Sequence, residues 1–208
     1  MRRGKTRTLA LTDAQRHADT GGPLKPHELV ARFAVAANCA EPMAAARAEL
    51  EQLKSNIAEV DEALRYISGV GGNARQVFYR SPNLTLLKVC FPAGRRTPPH
   101  DHGTWAAILL LSGEEKNTLY RVQNEQLRKA TEVTINPGMI LGMRAETPHV
   151  VECIGNAPTI GLHVYGGDIF ELPRHMWHPQ TLQVHPLDWT LYESFARIAS
   201  EAPAAPSP

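Results

Sequence analysis

At 208 residues the chain has the length of one domain with terminal extensions, enough to bury a core without disulfides or a structural metal. Its 22 basic and 21 acidic residues leave a formal net charge of +1 with no basic stripe or aromatic platform, which argues against nucleic acid and for a small-molecule partner. Cys39, Cys90 and Cys153 are odd in number and far apart, as reduced thiols of a cytoplasmic protein are; Leu9–Leu11 is too short for a secretion signal, and no apolar run is long enough to cross a membrane.

Residues 1–24 are polar and basic and end in Thr20-Gly21-Gly22-Pro23, the composition of a flexible arm. A helical segment follows over 25–72. Between Pro26 and Ala37 the apolar residues Leu29, Val30, Phe33, Ala34 and Ala37 recur at helical spacing and predict one amphipathic helix. Met43, Ala46, Leu50, Leu53, Ile57, Val60, Leu64 and Ile67 form a second stripe that packs on the chain's own sheet, and Gly69, Gly71 and Gly72 stop it. Asn56 with Glu59 three residues on is a capping signal, so this stretch is one helix or two joined near Ser55.

From residue 73 the texture changes to short β-type runs: Val77–Tyr79, Leu84–Phe91, Ala106–Leu111, Asn117–Val122, Glu132–Ile135, Met139–Met143, Val150–Cys153 and Ile160–Tyr165. Ser81-Pro82-Asn83, Pro92-Ala93-Gly94, Ser112-Gly113, Asn136-Pro137-Gly138 and Gly155-Asn156-Ala157-Pro158 punctuate them with turn chemistry. Such spacing means an all-β sandwich or small barrel over 73–188. The stretch from Glu171 to Thr181 reads as loop. Over 189–208 a short helix, Trp189 to Ile198, precedes a disordered tail.

His100-Asp101-His102 carries the strongest chemical signal. Side chains alternate along an extended chain, so the two imidazoles share one face about 7 Å apart while Asp101 points away, the geometry of a metal grip. Two imidazoles hold an ion weakly, and His149, after Pro148 at the head of a strand, is the third candidate. His175 and His178 lie between Pro173 and Pro179 and read as a surface loop; His17, His27 and His185 read as solvent-exposed without partners. Cys153 reads as a small buried apolar residue, and Trp105 as either a pocket wall or core packing.

The order Gly94, His100, His102, Gly113 and later His149 resembles the two motifs of the cupins, with Ala106 standing where those motifs carry a carboxylate ligand. Gly161-Leu162-His163-Val164-Tyr165 sharpens the resemblance. A neutral three-histidine set, an H-D-H first motif, Trp105 three residues after the second histidine, and a histidine-x-tyrosine strand 14 residues after His149 together resemble the thiol dioxygenases that oxidise cysteine or 3-mercaptopropionate. The similarity runs from about Tyr79 to Tyr165, and the helical N-terminal segment also looks like that family's.

This resemblance implies a cupin double-stranded β-helix, a small barrel with the N-terminal helices packed outside. It implies Fe(II) on His100, His102 and His149, and O2 as co-substrate. Tyr165 would place its hydroxyl beside the open coordination positions, oriented by His163; the family's serine is replaced by Gly161, which shortens the relay. Ala106 stands where animal cysteine dioxygenases carry a crosslinking cysteine, so no thioether can form. An early-strand Arg or Gln binds the substrate carboxylate in the family. Arg80 is the candidate and Arg75 the reserve, with Arg95, Arg96, Tyr120 and Arg121 read as solvated. The expected function is thus an iron-dependent oxidation of a small thiol to its sulfinate by a cytoplasmic monomer or homodimer. The alternatives are a metal-binding cupin with other chemistry and a non-catalytic small-ligand module.

Overall fold

The computed structural model describes residues 23–65, 67 and 75–201. The expected arm up to residue 22, the glycine stop at residues 69–72 and the tail from residue 202 lie outside the described residues, whereas Leu24, at the end of the expected arm, packs on the helices and donates its N–H to Glu59 at 2.8 Å. The helical segment forms as α1 (Pro26–Ala37), α2 (Pro42–Leu53), a single 3-10 turn (Lys54–Asn56) and α3 (Ile57–Arg65), so the break near Ser55 is real. Pro26 and Pro42 each open a helix where a missing N–H costs nothing, and Glu28 reaches back to accept from Lys25 N at 2.8 Å. The Asn56 amide donates to Glu59 at 2.7 Å from within the 3-10 turn.

Among the described residues ten strands follow: β1 (Arg75–Ser81), β2 (Leu84–Phe91), β3 (Ala106–Ser112), β4 (Glu115–Gln123), β5 (Gln126–Ile135), β6 (Ile140–Met143), β7 (His149–Cys153), β8 (Thr159–Tyr165), β9 (His175–Trp177) and β10 (Val184–Pro186), before α4 (Trp189–Glu201). They form a five-stranded sheet in the order β1-β2-β8-β3-β6, a three-stranded sheet β5-β4-β7 and the pair β10-β9, with antiparallel pairing throughout. The architecture is the expected double-stranded β-helix barrel with the N-terminal helices outside.

Two differences from the sequence reading have physical causes. β4 and β5 are longer than expected because Asn124 and Glu125, with φ of 51° and 61°, make a two-residue hairpin turn joining polar, exposed strand ends that carry no alternation. The Glu171–Thr181 stretch is not all loop: three of its residues are β9, paired with β10, and Trp177 N donates to Pro99 O at 2.9 Å.

Alternation along β2, β3 and β8 divides the core in two. Leu84, Leu86, Ala107, Leu109, Leu162 and Val164 turn outward onto Leu29, Phe33, Leu50, Val60 and Leu64 of the helices. Leu87, Val89, Phe91, Ile108 and Leu110 turn inward against Ile135, Val151 and Cys153 of the facing sheet. Leu109 and Leu50 are fully buried, and trimming either to Ala costs about 2–5 kcal/mol. At the β3–β4 corner Gly113 has φ +79°, and a Cβ there would lie 2.7 Å from Pro158 O, so only glycine fits.

A three-histidine cavity at the mouth of the barrel

Paired backbone bonds bring the three histidines together. His100 N donates to His149 O at 3.0 Å and His149 N returns the bond to His100 O at 2.9 Å, which fastens the loop before β3 to the start of β7. On its other side this loop meets β9 through Asp101 N to His175 O, 3.0 Å. His102, two residues on, then faces the same way as His100. The ring centroids lie 4.6 to 5.3 Å apart, and one nitrogen from each ring lies within 4.8 Å of the other two.

Asp101 does point away, accepting from His175 N at 2.8 Å and His175 Nδ1 at 3.0 Å. His175 is therefore a strand residue with a structural partner. His178 takes the N–H groups of Gln180 and Thr181 on its Nδ1 and closes the β9–β10 turn, while its ring stands edge-on to Phe195. His185, expected to be free in solvent, is half-buried against the same Phe195; His27 is exposed as expected.

The cluster fits a metal ion on the chemistry of its donors. His100 Nδ1 donates to Pro98 O at 3.0 Å and His149 Nδ1 to Asn117 Oδ1 at 3.1 Å, so in each ring Nε2 keeps its lone pair. His149 Nε2 is buried without a hydrogen-bond partner. Burial holds His149 down to about 3, and it pushes His100 and His102 well below the usual imidazole range, reinforced by a charge on His149. All three are neutral at pH 7, the state in which imidazole ligates.

Behind the triad, Tyr165 Oη lies 2.9 Å from His163 Nδ1, and the Tyr165 ring is 5.1 Å from that of His102. Burial raises the Tyr165 phenol above its ordinary range and lowers His163 to about 3, so both are uncharged. Ala106 is in register with Tyr165 across β3 and β8, beside it as expected and without a sulfur. Gly161 gives room to His163: a Cβ there would stand 2.9 Å from its Nε2.

These side chains line a small cavity walled by Val89, Phe91, Ile108 and Val151 and by Arg75 and Tyr192. Arg80 is not brought to it. Its guanidinium is bonded to Asp168 at 2.8 Å and Glu171 at 2.7 Å and lies over Phe170. The reserve candidate, Arg75, faces the cavity, with its Cζ 4.7 Å from the rings of both Trp189 and Tyr192. Arg95 turns to Glu193, and the backbone of Arg96 to Ser200. Tyr120 and Arg121 line a separate, wider cleft with His175 and Trp177. Trp105 packs on the helix-side core and covers Gly166, outside the residues lining the cavity.

Sequence reasoning missed Asn117, Arg174, Tyr192 and Glu193. Arg174 is buried, lies 5.0 Å over Trp189, and forms no ion pair among the described residues. The stripe Tyr192, Phe195, Ala196, Ala199 marks a helix face that must bury something, but not what.

No protein-family model matches the chain, and no curated protein matches it. Among solved structures it is similar to the DMSP lyase DddQ from Ruegeria pomeroyi, at 22% identity and TM-score 0.39 over 48% of this chain and 46% of that one. It is similar to a double-stranded β-helix protein from Klebsiella pneumoniae, at 16% identity and TM-score 0.39 over 60% and 92%. A third is the Mn(II)-containing oxalate decarboxylase from Bacillus subtilis, at 18% and 0.40 over 51% and 29%. The chain thus spans about half the length of the DMSP lyase and under a third of the oxalate decarboxylase. No helix among the described residues is long and apolar enough to cross a membrane.

Proposed function

We propose that the chain is a non-haem iron thiol dioxygenase converting a short carboxylate-bearing thiol, of the cysteine or 3-mercaptopropionate kind, to its sulfinate with O2. One observation carries the reading: the 2.9 Å bond between Tyr165 Oη and His163 Nδ1, set beside a histidine triad in a cavity that no carboxylate among the described residues lines. His100, His102 and His149 would hold Fe(II), which would supply the redox chemistry between thiolate and O2. Across the reaction sulfur gives up four electrons, O2 takes them, and both oxygen atoms end on sulfur, so no external reductant is consumed.

The chain's own residues bind and orient. Three neutral imidazoles leave the protein's contribution to the ligand field uncharged, so an anionic thiolate enters without repulsion from a carboxylate neighbour. Tyr165, kept protonated by burial, presents a hydroxyl that His163 holds in place. Val89, Phe91, Ile108 and Val151 keep water from the sulfur. Arg75, stacked against Phe91, Trp189 and Tyr192 and bonded by Glu193 at 3.3 Å, offers its remaining N–H groups to the substrate carboxylate. The cysteines are all free, in keeping with a cytoplasmic setting.

The test counts iron per chain and follows oxygen uptake with cysteine, 3-mercaptopropionate, cysteamine and mercaptosuccinate. Stoichiometric iron, uptake with at least one carboxylate thiol and a sulfinate product are expected. No uptake by the iron-loaded protein with any of the four ends the reading and leaves the metal site standing.

A further inference from the structure

We propose that Tyr192 of α4 is a specificity-determining residue of this same site, its hydroxyl donating a hydrogen bond to the carboxylate of a short mercapto acid whose charge Arg75 meets. The proposal rests on the thiol dioxygenase reading above and states which thiols the site admits.

The C-terminal helix forms part of the cavity wall. Its first turn lies across the histidines, with the Tyr192 ring edge-on to His100 at 5.2 Å, and Tyr192 is only 1% exposed. Its position is fixed from both sides. Glu193, the next residue, bonds Arg75 at 3.3 Å and Arg95 at 2.6 Å, and Ser200 accepts from Arg96 N at 2.9 Å.

Packing alone does not account for the hydroxyl. Tyr192 Oη is buried and has no hydrogen-bond partner among the described residues, whereas buried tyrosine hydroxyls usually find one. A phenylalanine would pack against His100, Trp189 and Arg75 equally well. The hydroxyl belongs to a side chain that lines the cavity, and the guanidinium of Arg75 lies 4.7 Å over its ring. A hydroxyl donor beside a guanidinium suits a group that only accepts hydrogen bonds and carries negative charge. A carboxylate satisfies both; an ammonium offers only donors and is repelled by Arg75.

Calorimetry on the iron-loaded protein under argon tests this with 3-mercaptopropionate and cysteamine, comparing the full chain with Tyr192→Phe at matched iron content and circular dichroism. The wild type should prefer the acid, and Tyr192→Phe should lower that preference about tenfold, as loss of a hydrogen bond to a charged group does. A preference that is unchanged, or an equal loss for both thiols, overturns the assignment. Oxygen uptake separates the two levels. If the wild type consumes oxygen while the variant keeps its preference, only the role of Tyr192 falls. If the preference drops but no oxygen is consumed, the dioxygenase reading falls and Tyr192 stands. A wild type that binds neither thiol overturns both.

Discussion

Asn117 Oδ1 lies 3.1 Å from His149 Nδ1, and both residues are fully shielded from solvent. Because an amide oxygen only accepts, the ring proton sits on Nδ1 and the Nε2 lone pair is set before any ion arrives. Asn117→Ala leaves that proton without an acceptor in a dry site. Affinity for Fe(II) or Co(II), measured by competition with a chelator, should fall roughly 10–100-fold with the circular dichroism unchanged. Wild-type affinity in the variant would show the amide to be dispensable.

Removing the imidazole itself is a harsher change. Two buried histidines cannot define an ion's position, so His149→Ala should lose stoichiometric metal altogether. Metal analysis after dialysis decides, and full occupancy in the variant would mean that the third ligand lies elsewhere.

Arg75 and Arg80 make a matched pair for testing the carboxylate contact. Arg75→Met should raise KM for 3-mercaptopropionate about 10–100-fold, the loss of a charge-assisted contact in a buried pocket. Arg80→Ala removes exposed, solvent-screened ion pairs to Asp168 and Glu171, so it should leave stability nearly unchanged and KM unmoved. Equal KM shifts in the two variants would contradict the placement of either residue.

That pair also shows where the sequence stops being legible. His100, His102 and His149 are readable because alternation puts the first two on one face and Pro148 marks the head of the strand that bears the third. The choice between the arginines is not. A register shift between Val77 and Tyr79 sets Arg75 opposite Val89 and Arg80 opposite Thr85, so both follow the inward-facing row of β2. Distance along the strand separates them: five residues, about 16 Å, put Arg75 at the cavity and Arg80 beside Asp168. Neither the bulge nor the position of Asp168 is written in local spacing. The same holds for α4, whose amphipathic stripe predicts a helix but names neither its partner nor the site it walls.

Acid should weaken the metal-free protein in a defined window. His149 and His163 titrate near 3 in the folded chain because burial disfavours their charge, against an ordinary value of about 6.5 when unfolded. Between those values the unfolded chain binds protons that the folded one refuses, so stability falls as pH drops below about 6.5, by roughly 1.4 kcal/mol per pH unit for each histidine. Urea unfolding at pH 7, 6 and 5 measures the slope before most carboxylates contribute. Stability that is flat or rising on acidification over that range would mean the imidazoles are not buried and neutral.

Gly161 packs directly against His163, and a serine at this position should harm the chain. A Cβ at residue 161 would lie 2.9 Å from His163 Nε2, closer than Cβ atoms approach, and a tight 3.1 Å from its Cδ2. The ring must turn, and the 2.9 Å bond to Tyr165 must lengthen. Gly161→Ser should therefore keep its metal but lose about tenfold in kcat/KM, since small misplacements of an orienting group are felt in the rate. If the loss runs through the tyrosine, the double variant Gly161→Ser, Tyr165→Phe should be no slower than Tyr165→Phe alone. Wild-type or faster turnover in Gly161→Ser would show that His163 has room to move and that a hydroxyl at residue 161 extends the relay rather than breaking it.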